Sequence, residues 1–200
     1  MRTKNVRVWL FLYTCLQSIS LPAPLHSQAV DRITAAVDTG VRVSLPNSVH
    51  REVLAATTSL PVDPLFAMDR MILLLDPSGS QQSALQTLLT QQQNPASPNY
   101  HRFLTPAQYG EAFGVSQGDL SKVTAWLTSS GFRIDEIPAN HLSIVFSGNA
   151  AQVQSAFRTE IRQYIVRGET HYANATAPQI PAALTPVVQG FVKFNDFHSK

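Results

Sequence analysis

The sequence is short of cysteine and of long apolar runs, and each shortage removes a class of protein. Only one of the 200 residues is a cysteine, Cys15, and it lies in the leader described below. We therefore predict neither a disulfide nor thiol chemistry in the mature chain. The longest strongly apolar run falls short of the roughly 20 residues that a membrane-spanning helix requires. We therefore predict no membrane partner once the leader is removed.

Residues 1–29 have the organisation of an export signal. A basic start is followed by the apolar run at 8–21 and by small residues at 27–29. This order is typical of a secretory signal peptide, so we predict cleavage between Ala29 and Val30 and a secreted or periplasmic mature chain. A membrane anchor fits less well because the run is short. A lipoprotein attached through Cys15 fits less well because apolar sequence continues beyond that residue.

Removal of the leader also changes the charge balance. The 15 basic residues fall to 12 when Arg2, Lys4 and Arg7 are lost, against 13 acidic ones, so the net charge changes from +2 to about −1. A nucleic-acid-binding domain needs a basic surface. The aromatic strand of an RNA-recognition module is missing too, because "LSIVFSG" at 142–148 does not match it. We therefore predict no nucleic-acid partner.

Motifs that would carry catalysis or bind a metal are missing as well. There is no G-x-S-x-G sequence, and Ser147 with Gly148 ends a predicted strand instead of forming a nucleophile elbow. The five histidines beyond the leader, at 50, 101, 141, 171 and 198, do not pair with another ligand at metal-binding spacing. Asp135 and Glu136 are neighbours on a predicted strand, so their side chains point to opposite faces. We predict no catalytic residue, metal or cofactor in this chain.

Apolar periodicity and helix-start signals predict a mixture of strands and helices. Ser78 with Gln81, and Thr105 with Gln108, are capping-box signatures. In chain order we predict a strand at 69–76, a helix at 81–93 with a buried stripe at 84, 85, 88 and 89, helices from 105 and 116, strands at 132–137 and 142–148, a helix at 149–157, and a strand at 159–168. This order predicts an α+β fold with a ferredoxin-like antiparallel sheet, helices on one face and an extra helical insertion after the first helix. The tail shows no clear period and is interpreted as a linker or a final strand.

The stretch "SPNYHRFLTPAQYGEAFG" at 97–114 is rich in rings and polar groups, yet no partner residue marks it as catalytic. We predict a structural role for Tyr100. The apolar residues Phe103, Leu104, Tyr109 and Phe113 are predicted to pack this connection onto the core. A second pattern, "NAT" at 174–176, matches a glycosylation acceptor, which matters only in a host that glycosylates.

Four stretches taken together resemble the activation prodomain of the kumamolisin/sedolisin family of serine-carboxyl peptidases. They are "SPNYHRFLTPAQYGEAFGVS", "VTAWLTSSGF", "IVFSGNAAQVQSAFRTEIRQY" and "GETHYANATAPQIPAAL", in the order expected for the family. The resemblance extends from about Met68 to about Phe197. The residues that carry the family pattern are Tyr100, His101, Phe103, Leu104, Thr105, Phe113, Gly114, Trp126, Gly131, Phe132, Phe146, Ser147, Gly148, Phe157, Tyr164, His171, Ala173, Asn174 and Pro181.

The resemblance implies a non-catalytic propeptide that assists folding of a peptidase domain, blocks its active-site cleft and is removed by self-cleavage at acid pH. In the family, the catalytic Glu, Asp and Ser lie in a larger downstream domain, to which a calcium ion would also belong. The sequence "SGNA" at 147–150 departs from the family's Ser-Gly-Thr-Ser motif, so no peptidase activity is expected of these 200 residues. The implied organisation is a signal peptide at 1–29, an extended N-terminal arm at 30–68, a prodomain core at 69–183, and a C-terminal linker at 184–200 toward a peptidase domain.

A propeptide of this kind needs a face that contacts the peptidase and a segment that lies in the cleft. We hypothesise that the sheet and the residues after Pro181 supply these, with 178–195 extended at the cleft. His101 and His171 are candidate pH sensors, since histidine gains charge below about pH 6.5. The expected partner is a sedolisin-like catalytic domain in cis or in trans. Two alternatives stay open, a stand-alone exported inhibitor acting in trans and an exported binding module that reuses the fold.

Overall fold

The fold is described by a computed structural model that covers residues 29–56 and 58–197. The predicted signal peptide, apart from its last residue, lies outside the described residues, as does His198. Within the described ranges, no helix is long and apolar enough to cross a membrane.

Helices and strands both occur in the described part of the chain, which confirms the α+β class. Its strands are β1 (Arg42–Ser44), β2 (Ser59–Pro61), β3 (Ala67–Leu75), β4 (Arg133–Glu136), β5 (Ser143–Asn149), β6 (Ile161–Val166), β7 (Glu169–Asn174), β8 (Gln179–Pro181) and β9 (Val188–Val192). Its helices are α1 (Arg51–Ala55), α2 (Gly79–Gln93), α3 (Pro106–Phe113), α4 (Gln117–Ser129) and α5 (Ala150–Phe157), with a short 3₁₀ turn at Ala182–Leu184.

The main sheet contains four strands in the order β4-β5-β3-β9, and every neighbouring pair is antiparallel. The central strand β3 buries Met71, Leu73 and Leu75 in the main core, whereas Ile72 and Leu74 on its other face are half-buried. Because both faces are at least partly covered, the sequence there is a continuous apolar run. The strand begins at Ala67, two residues before the predicted start.

Two strands are placed differently from the prediction. The strand β6, predicted as a further strand of the same sheet, pairs with β2 and β7 in a separate three-stranded sheet. The position beside β3 belongs to β9, so the tail contains a final strand, not a linker, over Val188–Val192. A bulge in this pairing, together with Gly190, hides the alternation that would have identified the strand in the sequence. The ferredoxin-like arrangement stays a prediction.

A side-chain cap is present at the start of each of the five helices in the described part of the chain. The predicted capping boxes at the start of α2 and α3 are both present, and Asn149 with Gln152 forms a third at the start of α5. The hydroxyl of Ser116 accepts the backbone N–H of Asp119 at the start of α4, at 3.1 Å. Each cap satisfies amide donors that the helix itself leaves without partners.

The helix α2 packs against α3 and contributes nothing to the main core. Of its predicted stripe, Leu85 and Leu88 are half-buried and the other two residues are exposed. A polar contact fixes its position, since the Gln81 side-chain amide donates to the carbonyl of Gly114 at 2.8 Å. The helix itself was therefore predicted correctly, while the burial of its apolar stripe was not.

The segment at 30–68, predicted to be an extended arm, is part of the fold. It contains β1, α1 and β2, and β1 pairs with β8. Ile33 and Leu45 are buried in the main core. Isolated apolar residues among polar neighbours produce no periodicity, so this packing is not visible in the sequence pattern.

Candidate functional site

An aromatic cluster accounts for four of the family-pattern residues. Trp126 meets Phe157 edge to face with ring centroids 5.5 Å apart, and Phe132 meets Phe146 in the same way at 5.1 Å. Such pairs contribute more than the area they bury. Phe157 also contacts Phe191 of β9 at 4.7 Å, a partner that sequence reasoning missed. These buried rings stabilise the main core and form no site.

Three glycines of the pattern are required by backbone shape or close packing. Gly131 ends α4 with φ 89°, a conformation that favours glycine. A Cβ on Gly148 would stand 2.6 Å from a ring carbon of Phe132, and one on Gly114 would stand 2.5 Å from the carbonyl oxygen of Asn140. Their place in the pattern therefore has a structural explanation.

The cluster at 100–103 is a surface stack, not a part of the core. The rings of Tyr100 and His101 are stacked with centroids 3.8 Å apart, and His101 has φ 54°. Phe103 is 78% exposed, so the prediction that it packs onto the core is wrong. Phe113 is buried, as predicted, and Leu104 is half-buried. The pattern residues of this loop therefore differ in environment, and Phe103 is available for contact with a partner.

The hydroxyl of Ser147 belongs to a polar network at one end of the main sheet. It donates to the carboxylate of Asp135 and accepts the backbone N–H of Arg70 at 2.8 Å. Arg133 pairs with Asp135 at 2.8 Å. The Ser147 hydrogen bond, assisted by Arg133 and Arg70 and opposed by burial, lowers the pKa of the Asp135 carboxyl. Ser147 is buried, so a substrate cannot reach its hydroxyl in the folded domain, and this network is structural.

The second sheet holds most of the remaining pattern residues. Tyr164 and Ala173 are buried in a small second core, and burial raises the pKa of Tyr164. Asn174 is fully buried, and its amide donates to the carbonyls of Ser48 at 2.9 Å and Thr176 at 3.0 Å. A glycosyltransferase could not reach this side chain in the folded chain, so the glycosylation pattern has no accessible acceptor.

The segment at 178–195, expected to extend into a peptidase cleft, is instead built into the domain. Ile180 and Leu184 are fully buried, β9 lies in the main sheet, and Phe194 is buried. Asn195 forms an antiparallel bridge with Ala173 of β7. The segment could enter a cleft only by losing this core packing, so a cleft-bound strand within 178–195 is excluded for the folded domain.

The face of the main sheet opposite the aromatic cluster is partly open. Strand register places Ile72 beside Val145 on one side and Val192 on the other, so all three point to this face. Leu74 lies two residues further along the same face and is half-buried, and Val192 is 42% exposed. We call Ile72, Leu74, Val145 and Val192 the outer face, of which Val145 is buried. It is a candidate contact surface.

Among the described residues, no group of three or more His, Cys, Asp or Glu side chains is placed to hold a metal ion. His101 and His171 lie in different parts of the fold. His101 belongs to the surface stack before α3 and His171 to β7, where it faces two carboxylates. The two candidate pH sensors therefore do not form one site.

Comparison with known proteins gives a consistent result. Residues 67–197 match the family model described as "Pro-kumamolisin, activation domain". The chain is 34% identical to xanthomonalisin from Xanthomonas sp. (strain T-22) over 130 residues, which are 65% of this chain and 15% of that protein. It is 30% identical to sedolisin from Pseudomonas sp. (strain 101) over 94 residues, or 47% of this chain and 16% of that protein. It is 31% identical to aorsin from Aspergillus oryzae over 91 residues, or 43% and 14%.

The match begins at the first residue of β3 and ends at the last residue that the structure describes, so it covers the main sheet, the helices α2 to α5 and the second core's strands β6 and β7. The matched part of each relative is about one sixth of its length or less. The chain belongs to the family of pro-kumamolisin activation domains.

Proposed function

We propose that this chain is the non-catalytic propeptide of a secreted sedolisin-like serine-carboxyl peptidase. It assists folding of the peptidase domain, inhibits it by occupying its active-site cleft, and is removed by self-processing in acid. The observation that carries this proposal is the family match over residues 67–197. Xanthomonalisin and sedolisin are similar to this chain over a segment that is a small part of each.

The chemistry of the described residues supports a binding role. Ser147 is the serine nearest in sequence pattern to a nucleophile, and it is held by Asp135 and by the Arg70 amide. Its hydroxyl is buried, so a substrate cannot reach it in the folded domain. The surfaces of the domain therefore carry its function.

The outer face is the surface that we assign to the peptidase. It presents Ile72, Leu74 and Val192 on a rigid four-stranded sheet, and Arg133 with Asp135 supplies charge at one end. An apolar centre with a polar rim is the usual composition of a protein interface. Because residues 178–195 are folded into the domain, they do not supply a segment that lies in the cleft.

Inhibition tests the proposal directly. The full chain is mixed in excess with mature xanthomonalisin near neutral pH, and hydrolysis of a peptide substrate is followed. We expect inhibition by the natural chain and weaker inhibition by Val192→Glu, which puts a charge on the outer face. Ile165→Glu is the matched control, because Ile165 is an exposed apolar residue of the other sheet. Undiminished hydrolysis with excess natural chain would refute the inhibitory role.

A partner in trans is distinguished from one in cis by the coding sequence that follows Lys200. A peptidase reading frame in continuity with this chain supports action in cis. A separately encoded peptidase that the chain inhibits supports a stand-alone inhibitor. Both outcomes use the same surface, so the inhibition assay and the Val192→Glu variant serve for either.

A further inference from the structure

The last described residues of the chain are fastened to the edge of β7. Asn195 bridges Ala173, and the backbone N–H of Asp196 donates to the carbonyl of Tyr172 at 3.2 Å. In return, the backbone N–H of Tyr172 donates to the side-chain carboxylate of Asp196 at 2.9 Å. The Asp196 carboxylate thus adds a side-chain hydrogen bond to the backbone contacts between these residues and β7.

Phe197 is held between two imidazole rings. The ring of His50 is stacked on it with centroids 4.3 Å apart and an interplanar angle of 7°, and the ring of His171 with centroids 4.4 Å apart and an angle of 25°. His50 precedes α1, while His171 lies on β7. Phe197 also packs against the second core, so three distant parts of the chain meet at this ring.

His171 has a carboxylate oxygen beside each of its ring nitrogens. Nδ1 is 3.3 Å from Asp196 Oδ1, and Nε2 is 3.6 Å from Glu169 Oε2. A neutral imidazole carries one N–H and can donate to only one of these carboxylates, whereas the imidazolium ion carries two and can donate to both. A cation over the face of Phe197 is also attracted by the ring.

We propose that Asp196, Phe197, His50 and His171 form a proton-dependent latch that holds residues 195–197 against β7. Protonation of His171 tightens the latch by pairing both nitrogens with carboxylates. Further acidification protonates Asp196 and Glu169 and loosens it again. The latch is internal to this chain and does not depend on the proposed inhibition of a peptidase.

The other ionisable groups around the latch do not reproduce this behaviour. His50 accepts the backbone N–H of Glu52 at Nδ1, so adding a proton there breaks a helix cap and opposes tightening. Tyr172 has its pKa raised by burial, then by Asp196 and Asp69, and Tyr164 has its pKa raised by burial, so neither phenol ionises in acid. The remaining charged groups nearby pair with one another, and they are Glu52, Arg51 and Arg167. His171 is therefore the group whose protonation makes the latch tighten.

The effect of protonating His171 in the latch is the opposite of simple release in acid. A histidine in an interface that accepts only the neutral form would release its partner on protonation. Beside two carboxylates and a phenyl face, the charged form is the one that makes more contacts. The tail is therefore held most firmly in mild acid, where histidine is charged and carboxylates remain ionised.

Hydrogen exchange of the Asp196 amide in the full chain tests the latch. After correction for intrinsic exchange, we expect protection to rise roughly threefold from pH 7.5 to 5.5, the scale of a partly exposed ion pair, and to fall again at pH 3.5. His171→Gln should abolish the rise. His101→Gln is the matched control and should keep it. Equal protection of the natural chain at pH 7.5 and 5.5 would overturn the proposal, as would a full rise in His171→Gln.

A measurement on the natural chain tests the latch even if the His171→Gln variant fails to fold. Nitrogen chemical shifts of the His171 ring report which of its nitrogens carry protons. We expect both to be protonated at the pH where Asp196 protection is greatest, and the two signals to change together as pH is raised. A ring that becomes charged without any change at the Asp196 amide would contradict the latch.

Discussion

Asp119 and Ile33 are 86 positions apart, and the backbone N–H of Ile33 donates a hydrogen bond of 2.9 Å to the fully buried Asp119 carboxylate. The same carboxylate accepts the backbone N–H of Arg32 at 2.7 Å. Lys122 donates to the carbonyl of Ile33 at 2.7 Å. The start of α4 therefore holds the N-terminal segment through its backbone, and the Asp31 side chain adds a contact by accepting the Ser116 hydroxyl at 2.6 Å.

Asp119→Ala should lower the free energy of unfolding by about 2 kcal/mol or more, because two amides lose a charged acceptor in a buried place. Urea denaturation at neutral pH measures this. Asp38→Ala is the control, since Asp38 is exposed and accepts only the nearby N–H of Gly40, and it should change stability by less than about 0.5 kcal/mol. Equal stabilities of the two variants would show that the segment is not anchored through Asp119.

The helix α3 approaches the loop before β5 so closely that it needs a glycine at one position. A Cβ on Gly110 would collide with the carbonyl oxygen of Ala139. Gly110→Ala should therefore destabilise the fold by about 1–3 kcal/mol, as overpacking does. Gly79→Ala, in the first turn of α2 with nothing within 4 Å of the new methyl group, should be neutral or slightly stabilising. Thermal unfolding of both variants measures the two changes in stability. A neutral Gly110→Ala would contradict the close packing.

Replacing an exposed and a buried phenylalanine of the same family pattern by alanine should change stability by very different amounts. Phe157 is fully buried and contacts Trp126 and Phe191, so Phe157→Ala should cost about 3–5 kcal/mol. Phe103 is 78% exposed, so Phe103→Ala should change stability by less than about 0.5 kcal/mol. Urea unfolding compares them. A large loss for Phe103→Ala would mean that this ring packs on the domain after all.

Local features of the sequence predicted local structure well. The capping boxes of α2 and α3 depend on residues three positions apart, so the sequence contains everything that determines them. The position of β9 depends on β3, more than a hundred residues earlier, and on Phe191 joining the aromatic cluster. Neither relationship produces an alternation of apolar and polar residues in the sequence of the tail.

The candidate surfaces were still harder to predict. The exposed Phe103 and the buried Phe113 are both aromatic residues near α3, and only their neighbours in space distinguish them. The same holds for Ile33, whose burial follows from the Asp119 contact and not from any apolar pattern around it. Residue type indicated which side chains matter, while the fold decided whether each one packs, caps or remains exposed.

The response of the proposed complex to acid should depend on His101. Its ring is exposed and stacked on Tyr100, with Phe103 beyond it, so a charge gained there would change a surface that a partner can contact. His101→Gln should shift the pH at which inhibition of the peptidase is lost. His141→Gln is the control, because His141 contacts Gln117 on another part of the surface. An unchanged pH of release would assign acid sensitivity to carboxylates instead.

The stability of the fold should also depend on the ionisation of Asp135. The Ser147 hydrogen bond, with help from Arg133 and Arg70, holds the pKa of this carboxyl below its usual value. Because the folded-state pKa is lower than the unfolded one, the ionised carboxylate stabilises the fold at neutral pH. That contribution is lost as pH falls through the folded-state pKa.

Ser147→Ala removes the largest cause of this shift. Its loss of unfolding free energy, measured in urea against the natural chain, should therefore be greater at pH 7 than at pH 3. Part of the loss does not depend on pH, since Ser147 also accepts the Arg70 amide. The same comparison in an Asp135→Asn background isolates that part and should give equal losses at both pH values. If the loss in the natural background is also the same at pH 7 and pH 3, Asp135 does not stabilise the fold through its charge.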